Sequence, residues 1–236
     1  MTGATLDTLR DAAAAHGMLL RGVLAVQPAD EAIVLANGRE AVAIALFGNT
    51  GDALWPVFTA SAEYRDGERH PLDRWSRRVA TIIAAPLGAR VLMPNDGPPH
   101  LPFLSWAERA GGVTQSPIGL FLHREYGLWH AYRFALALGE MPEGVAGTTT
   151  SRDAAAICAN CVARPCLTAC PVGAFTNDGY AVDRCAEYLL DDEDAPCHGS
   201  GCLARVACPV GAAARYPEAQ RRFHMASFLR GARERR

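Results

Sequence analysis

The eight cysteines of this chain all lie in its last third and form two runs, each of which ends in Cys-Pro. The first run is Cys158, Cys161, Cys166 and Cys170, with Pro171 directly after it. The second run is Cys185, Cys197, Cys202 and Cys208, with Pro209 directly after it. Two four-iron clusters need eight thiolates, because each iron takes one ligand from the protein. The pattern therefore predicts that this third of the chain folds around two [4Fe–4S] clusters.

Zinc and disulfides are the alternatives to iron–sulfur clusters. Four-thiolate zinc sites also use Cys-x-x-Cys spacing, so zinc is the stronger of the two. Disulfide scaffolds are usually shorter and spread their cysteines over the fold. The N-terminus also has no signal-peptide pattern, which disfavours an oxidising compartment and, with the clusters, predicts a cytoplasmic protein.

The spacing of the cysteines predicts how the clusters share them. Four residues separate Cys161 from Cys166, where bacterial two-cluster ferredoxins have two. In those proteins the fourth cysteine of one run ligates the other cluster. The same rule predicts site I on Cys158, Cys161, Cys166 and Cys208. It predicts site II on Cys170, Cys185, Cys197 and Cys202.

The amino-acid composition limits the kinds of partner and of chemistry that are expected for this chain. The formal net charge is −2, which argues against a basic nucleic-acid surface. All 23 Lys+Arg residues are arginines, so Schiff-base chemistry and a Walker-type phosphate loop are excluded. No run of about 18 apolar residues is present, and we expect no membrane span.

The 236 residues are predicted to form three parts: an α/β domain at 1–150, a ferredoxin-like module at 153–215, and a C-terminal helix with a basic tail at 216–236. Gly, Pro, Ser and Thr at 139–152 indicate a linker. Apolar periodicity predicts helices at 5–16, 56–64, 71–87, 101–110 and 217–230. It predicts strands at 19–27, 41–48, 89–93, 118–124 and 128–138.

Several stretches resemble epoxyqueuosine reductases. They are Asp96-Gly-Pro-Pro99, Trp106-Ala-Glu-Arg-Ala-Gly111, the stretch from Ser116 to Gly127 and Cys185-Ala-Glu-Tyr-Leu189. The stretch from Ile118 to Arg133, with Met141-Pro142, is similar to the type C cobalamin-processing protein. Both families, with the reductive dehalogenases, bind cobalamin on a nitroreductase-like α/β domain. The helical-repeat tail with which epoxyqueuosine reductases help bind tRNA has no counterpart here.

The resemblance implies an α+β fold, a nitroreductase-like domain followed by a bacterial-type two-[4Fe–4S] ferredoxin module. It implies Asp96 as the catalytic proton donor, with an Asp-Gly turn as the structural alternative. It also implies a set of corrinoid-binding residues: His70, His123, Tyr126, Trp129 and Arg133. His130 is a further candidate. Their structural alternatives are helix ends, core aromatics and, for Arg133, an ion pair.

The hypothesis that follows is a cobalamin-binding iron–sulfur oxidoreductase. It would process cobalamin reductively, removing or reducing an upper ligand, with electrons from a flavodoxin or a ferredoxin reductase. An epoxide reductase akin to epoxyqueuosine reductase is the first alternative. A ferredoxin-type electron carrier without corrinoid is the second. No membrane or nucleic-acid partner is expected.

Overall fold

The computed structural model describes residues 4–30, 32–145, 153–176 and 179–235, which form two compact units. One unit contains the described residues up to Gly111 and those from His130 to 145. The other contains Gly112–Trp129 and the described residues from 153 onward. The chain therefore passes between the units three times.

Helices and strands are mixed in the described residues, which confirms the α+β class. The helices are α1 Leu6–Ala14, α2 Leu54–Thr59, α3 Ala62–Arg65, α4 Pro71–Ala84, α5 Phe103–Ala110, α6 Asp153–Ala159, α7 Pro165–Thr168, α8 Val182–Asp191, α9 Pro196–Ser200, α10 Leu203–Val206 and α11 Glu218–Glu234. The strands are β1 Leu19–Ala25, β2 Ala43–Thr50, β3 Arg90–Leu92, β4 Val113–Gln115, β5 Phe121–His123, β6 His130–Leu138, β7 Phe175–Thr176 and β8 Gly179–Tyr180. None of the described helices is long and apolar enough to cross a membrane.

An antiparallel sheet in the order β1-β2-β6-β3 is the centre of the first unit. The central strands β2 and β6 are almost continuously apolar and largely buried, as a strand covered on both faces requires. Phe47 and Phe134 stack between them with ring centroids 4.9 Å apart. Helix α4 packs on this sheet through a buried apolar face that includes Leu72, Trp75 and Val79.

Two small apolar cores hold the second unit together, and cysteines belong to both. One core consists of Ile118, Leu122, Leu128, Cys166, Ala204 and Cys208. The other consists of Leu189, Ala195, Cys197 and Leu229. Two hairpins, β4–β5 and β7–β8, complete this unit.

The structure corrects several predicted element bounds. The helix predicted at 56–64 is two helices, because Ser61 has an extended backbone and its hydroxyl accepts the Tyr64 N–H to start α3. The strand predicted at 118–124 covers only Phe121–His123, and it pairs with β4, which was not predicted. The predicted linker at 139–152 is described only to 145. Residues 112–129, expected in the first domain, belong to the second unit.

Candidate functional site: two thiol-lined cavities

The four thiols of site I surround a cavity of about 30 Å³ in the second unit. They are Cys158, Cys161, Cys166 and Cys208. Helix α6 carries Cys158, and α7 carries Cys166 one residue after its first-turn proline. Arg164 enables this sharp start, because its backbone is left-handed with φ 38°. The inserted Arg164-Pro165 pair thus turns the chain so that Cys166 points back toward its neighbours.

The four thiols of site II line a larger cavity, of about 230 Å³. They are Cys170, Cys185, Cys197 and Cys202. Cys185 stands alone in the sequence because it comes from α8, where Tyr188 one turn later lines the same cavity. Cys197 lies on α9, and Cys202 is the residue that precedes α10. The structure therefore brings together the two sets of four that the crossover rule predicts.

Electrostatic interactions between the thiols also separate them into these two sets. Burial raises the pKa of Cys158, and its neighbours Cys208, Cys166 and Cys161 raise it further. Burial likewise raises the pKa of Cys202, with additional contributions from Cys197 and Cys185. Each resolved interaction between cysteines joins members of one site. Four thiolates so close together and so poorly hydrated need a positive centre to stay ionised.

Burial raises the pKa of a thiol, and backbone N–H groups that donate to the sulfur act in the opposite direction. The N–H of Ala174 lies 3.3 Å from Cys170 Sγ. At four thiols, backbone N–H groups lower the pKa, although burial remains the larger effect: Leu167 to Cys166, Leu203 to Cys197, Ala204 and Arg205 to Cys202, and Val210 to Cys208. Donors aimed at sulfur favour the thiolate, which is the form that ligates iron.

The hydrogen bonding of the buried Trp129 side chain also indicates whether the cavity of site II fits an iron–sulfur cluster. Its side chain is 1% exposed and lines the cavity of site II, yet its indole N–H has no hydrogen-bond partner among the described residues. A buried donor without a partner costs about 1–3 kcal/mol. A sulfur acceptor in the cavity would satisfy it, so the cavity fits an iron–sulfur cluster better than an apolar ligand.

Tyr180 is a contact of site II that the sequence did not reveal. Burial, and then its hydrogen bond to Cys185, raise the pKa of the Tyr180 hydroxyl, which therefore stays protonated and donates to the sulfur. Its ring stacks on Phe175 across the β7–β8 hairpin, with centroids 4.9 Å apart. The available signal was the position of Tyr180 shortly before the isolated Cys185.

The predicted proton donor Asp96 and two predicted corrinoid-binding residues, His70 and Arg133, lie near α4 in the first unit. His70 precedes α4 with a left-handed backbone, φ 53°. Asp96 forms an ion pair with Arg77 and accepts the Met93 N–H at 3.1 Å. Arg133 donates to Asp73 at 2.7 Å, the arrangement described by the ion-pair alternative for this residue. Both charged candidates therefore have partners within their own unit.

The other three lie in the second unit. His123 Nδ1 accepts the N–H groups of Glu125 and Tyr126, at 3.1 and 3.3 Å, so this nitrogen carries no proton. The rings of His123 and Tyr126 stack at 4.4 Å. Trp129 lines site II. Buried His130, in the first unit, lies 3.5 Å from Arg21. Of the seven predicted residues, four lie in the first unit (His70, Asp96, His130 and Arg133) and three in the second (His123, Tyr126 and Trp129).

Among the described residues, no group of three or more His, Cys, Asp or Glu side chains is placed to hold one metal ion. The site that the second unit does define consists of two thiol-lined apolar cavities with N–H donors.

No protein-family model matches the chain, and no curated protein matches it. Solved epoxyqueuosine reductases are similar to it in structure. One, with an epoxyqueuosine-modified tRNA-Tyr stem loop, is 18% identical with a TM-score of 0.42, over 75% of this chain and 50% of that one. One from Streptococcus thermophilus is 21% identical with a TM-score of 0.42, over 75% and 51%. A selenomethionine-labelled one is 18% identical with a TM-score of 0.41, over 77% and 52%. The chain thus spans about half their length. Likenesses this low leave the function to be argued from the site.

Proposed function

We propose that this chain is an iron–sulfur oxidoreductase that holds two [4Fe–4S] clusters in a bacterial-type ferredoxin module. The observation that carries the proposal is that eight thiols divide into two sets of four, each around its own apolar cavity. The clusters would supply one-electron transfer at low potential. The apolar lining excludes water, and the N–H groups aimed at the sulfurs stabilise their negative charge.

Iron and acid-labile sulfide, measured after anaerobic reconstitution, test this proposal. We expect about eight of each per chain. Cys161→Ser affects only site I and Cys185→Ser only site II, and each should reduce the content to about four. Wild-type protein with about four irons, or with zinc in place of iron after expression in iron-rich medium, would contradict the two-cluster assignment.

We further propose that the electrons serve the reductive processing of cobalamin, on a nitroreductase-like first domain. This step rests on the resemblance of residues 118–133 and 141–142 to cobalamin-processing proteins. A flavodoxin or a ferredoxin reductase is the proposed donor. Cobalamin added to the anaerobic, reduced protein should bind saturably and change its visible spectrum. No spectral change, with no cobalt in the purified protein, would contradict the corrinoid hypothesis and leave a plain electron carrier.

An epoxide reductase of the epoxyqueuosine type is the second candidate. The observation in its favour is the Cys185-Ala-Glu-Tyr-Leu189 motif, which folds as one turn of α8 with Cys185 and Tyr188 both lining site II. A gel-shift assay with an epoxyqueuosine-modified stem loop separates the candidates. Binding that an unmodified stem loop does not compete away would favour this function over cobalamin processing.

A further inference from the structure

The side chain of Arg205 lines the cavity of site II. It lies on α10, three residues after Cys202, and lines the same cavity as the four thiols. Its guanidinium carbon lies 4.6 Å from the ring centroid of Trp129 and 4.7 Å from that of Tyr216. Its Nε and Nη2 donate to the Leu128 carbonyl oxygen at 3.0 and 2.6 Å. The side chain is thus held in one place by two rings and a carbonyl.

The charge of Arg205 is not neutralised by an acid. Among the described residues no carboxylate oxygen lies within 4.0 Å of its guanidinium. Two aromatic faces and one carbonyl contact the cation without cancelling its charge. A unit charge in an apolar, poorly hydrated cavity acts on its neighbours several times more strongly than the same charge in water.

Among the described residues that line the cavity of site I, none is a half-buried arginine. The arginine that lines its cavity is Arg164, whose charge acts to lower the pKa of Cys158; its side chain is solvent-exposed, so water screens that charge more than the charge of the half-buried Arg205. Site II has Arg205 and, in addition, Arg221, whose Nη1 donates to the Ser200 carbonyl at 2.7 Å. The two thiol sets therefore have the same number of sulfurs but different fixed positive charge around them.

We propose that Arg205 is a positioning residue that raises the reduction potential of the cluster in site II above that of the cluster in site I. This inference rests on the proposed function. Reduction adds one electron and therefore one negative charge, which a nearby half-buried cation stabilises. The one-electron exchange oxidises site I and reduces site II, with no proton or further reactant. Electrons that enter at site I consequently collect at site II.

An anaerobic redox titration followed by electron paramagnetic resonance tests this. Two single-cluster proteins identify the signals: Cys185→Ser leaves site I, and Cys161→Ser leaves site II. We expect site II to have the higher potential. Arg205→Gln keeps a planar amide that can stack and donate but removes the charge. It should lower the potential of site II by about 59 mV, a tenfold shift in the reduced-to-oxidised ratio.

Two matched variants separate charge from structure. Arg205→Lys keeps the charge and loses the planar fork, so it should retain most of the wild-type potential. Arg222→Gln removes an exposed arginine of α11 that pairs with Glu218, and it should leave both potentials unchanged.

Three results would overturn the inference: equal potentials or a higher potential at site I, no shift at site II in Arg205→Gln, or the same shift in Arg205→Lys. If Arg205→Gln fails to fold, the comparison of the two single-cluster proteins still tests the predicted order of the two potentials. Iron content is measured on every sample. A wild-type protein without two clusters would instead refute the proposed function on which the inference rests.

Discussion

At the scale of single residues, two buried tryptophans have opposite hydrogen-bonding states. The Trp106 indole N–H donates to the buried Asp30 carboxylate at 2.8 Å in the first unit. The Trp129 indole N–H, in the second unit, has no partner among the described residues. Burial acts to raise the pKa of Asp30, but the hydrogen bonds from Arg109, Gln27 and Trp106 together lower it. One tryptophan thus completes a network, and the other, which lines the cavity of site II, has a donor without a partner among the described residues.

Replacing each tryptophan by phenylalanine should therefore have different consequences. Trp106→Phe should destabilise the protein by about 1–3 kcal/mol whether or not iron is bound, because it leaves a buried carboxylate without one donor. Trp129→Phe should hardly change the melting temperature of iron-free protein, yet it should speed iron loss to a chelator. Equal effects of Trp129→Phe on the iron-free and iron-loaded proteins would contradict a role for its N–H at site II.

The Glu63–Arg78 ion pair, which joins α3 to α4, gives a pH dependence with a definite sign. Both carboxylate oxygens accept, at 2.5 and 3.0 Å, and this hydrogen bonding lowers the pKa of Glu63 from 4.5 to about 2. A depressed folded pKa contributes stability above pH 4.5 that is lost as the pH falls toward 2. Arg78 is half-exposed, so screening limits the contribution to about 1 kcal/mol.

Urea unfolding of wild type and Glu63→Gln between pH 6 and pH 3 measures this contribution. The difference in free energy of unfolding between the two proteins should be largest at pH 6 and shrink as the pH falls. Added salt should reduce it. A difference that stays constant over this range would show that the pair contributes no titratable stability.

The cysteine ligand candidates were the residues that sequence could predict, because thiol spacing is itself the signal. The resemblance to cobalamin-binding families predicts that Trp129 contacts a corrinoid. In the structure Trp129 lines the cavity of site II. Arg205 and Tyr180 were missed, since their significance depends on neighbours that are distant in sequence, such as Leu128 for Arg205. A single arginine or tyrosine forms no periodic sequence pattern from which its role could be predicted.

At the scale of elements, the sequence Cys-Pro-Val-Gly-Ala occurs twice, at 170–174 and 208–212, in different surroundings. Gly173 and Gly211 both have left-handed backbones, with φ 56° and 69°. A Cβ at Gly173 would meet nothing within 4 Å, whereas one at Gly211 would lie 2.1 Å from the Tyr126 carbonyl carbon. A Cβ at Gly127 would lie 1.9 Å from the Val210 oxygen. The turn after β5 and the loop after Cys208 therefore meet backbone to backbone.

Gly211→Ala and its repeat-matched control Gly173→Ala test this contact. Both substitutions place a Cβ on a left-handed backbone, which destabilises the folded protein by about 1–2 kcal/mol. Only Gly211→Ala must also move backbone apart, which should cost about 1–3 kcal/mol more and loosen iron binding at site I. Thermal unfolding and chelator kinetics measure both effects. Equal destabilisation by the two substitutions would show that the close approach contributes nothing.

Element prediction succeeded where the apolar pattern was long and failed where it was short. Helix α4 was predicted because Leu72, Trp75 and Val79 recur at helical spacing. Strand β4 was missed, since three residues are too few to show alternation. The break at Ser61 depends on one side-chain hydrogen bond, which hydrophobic periodicity does not register.

At the scale of the whole molecule, the division into units does not follow the order of the sequence. Leu122 and Leu128 belong to the same apolar core as Cys166 and Cys208, although about 40 residues or more separate them along the chain. Sequence predicted a boundary near 150 because composition changes there. The sequence could not predict that residues 112–129 belong to the second unit, because the pattern of β5 is that of any short apolar strand.

Iron removal should therefore affect parts of the chain that are not adjacent in sequence. Because structural metal sites couple binding to folding, a chelator should raise amide hydrogen exchange across 153–235 and also across 112–129. The central strands β2 and β6 of the first unit should stay protected. Exchange measured by mass spectrometry, with and without chelator, tests this. Protection of 112–129 that persists after iron loss would contradict its dependence on the thiol sites.

The alternation of the chain between its units has a consequence for synthesis on the ribosome. Translation proceeds from the N-terminus at about 5–20 residues per second, and early domains usually fold as they emerge. Here Leu122, Leu128 and Trp129 leave the exit tunnel well before the cysteines that share their cores. For several seconds these apolar side chains have no native partners, so the nascent chain at this stage should be a client for holdase chaperones.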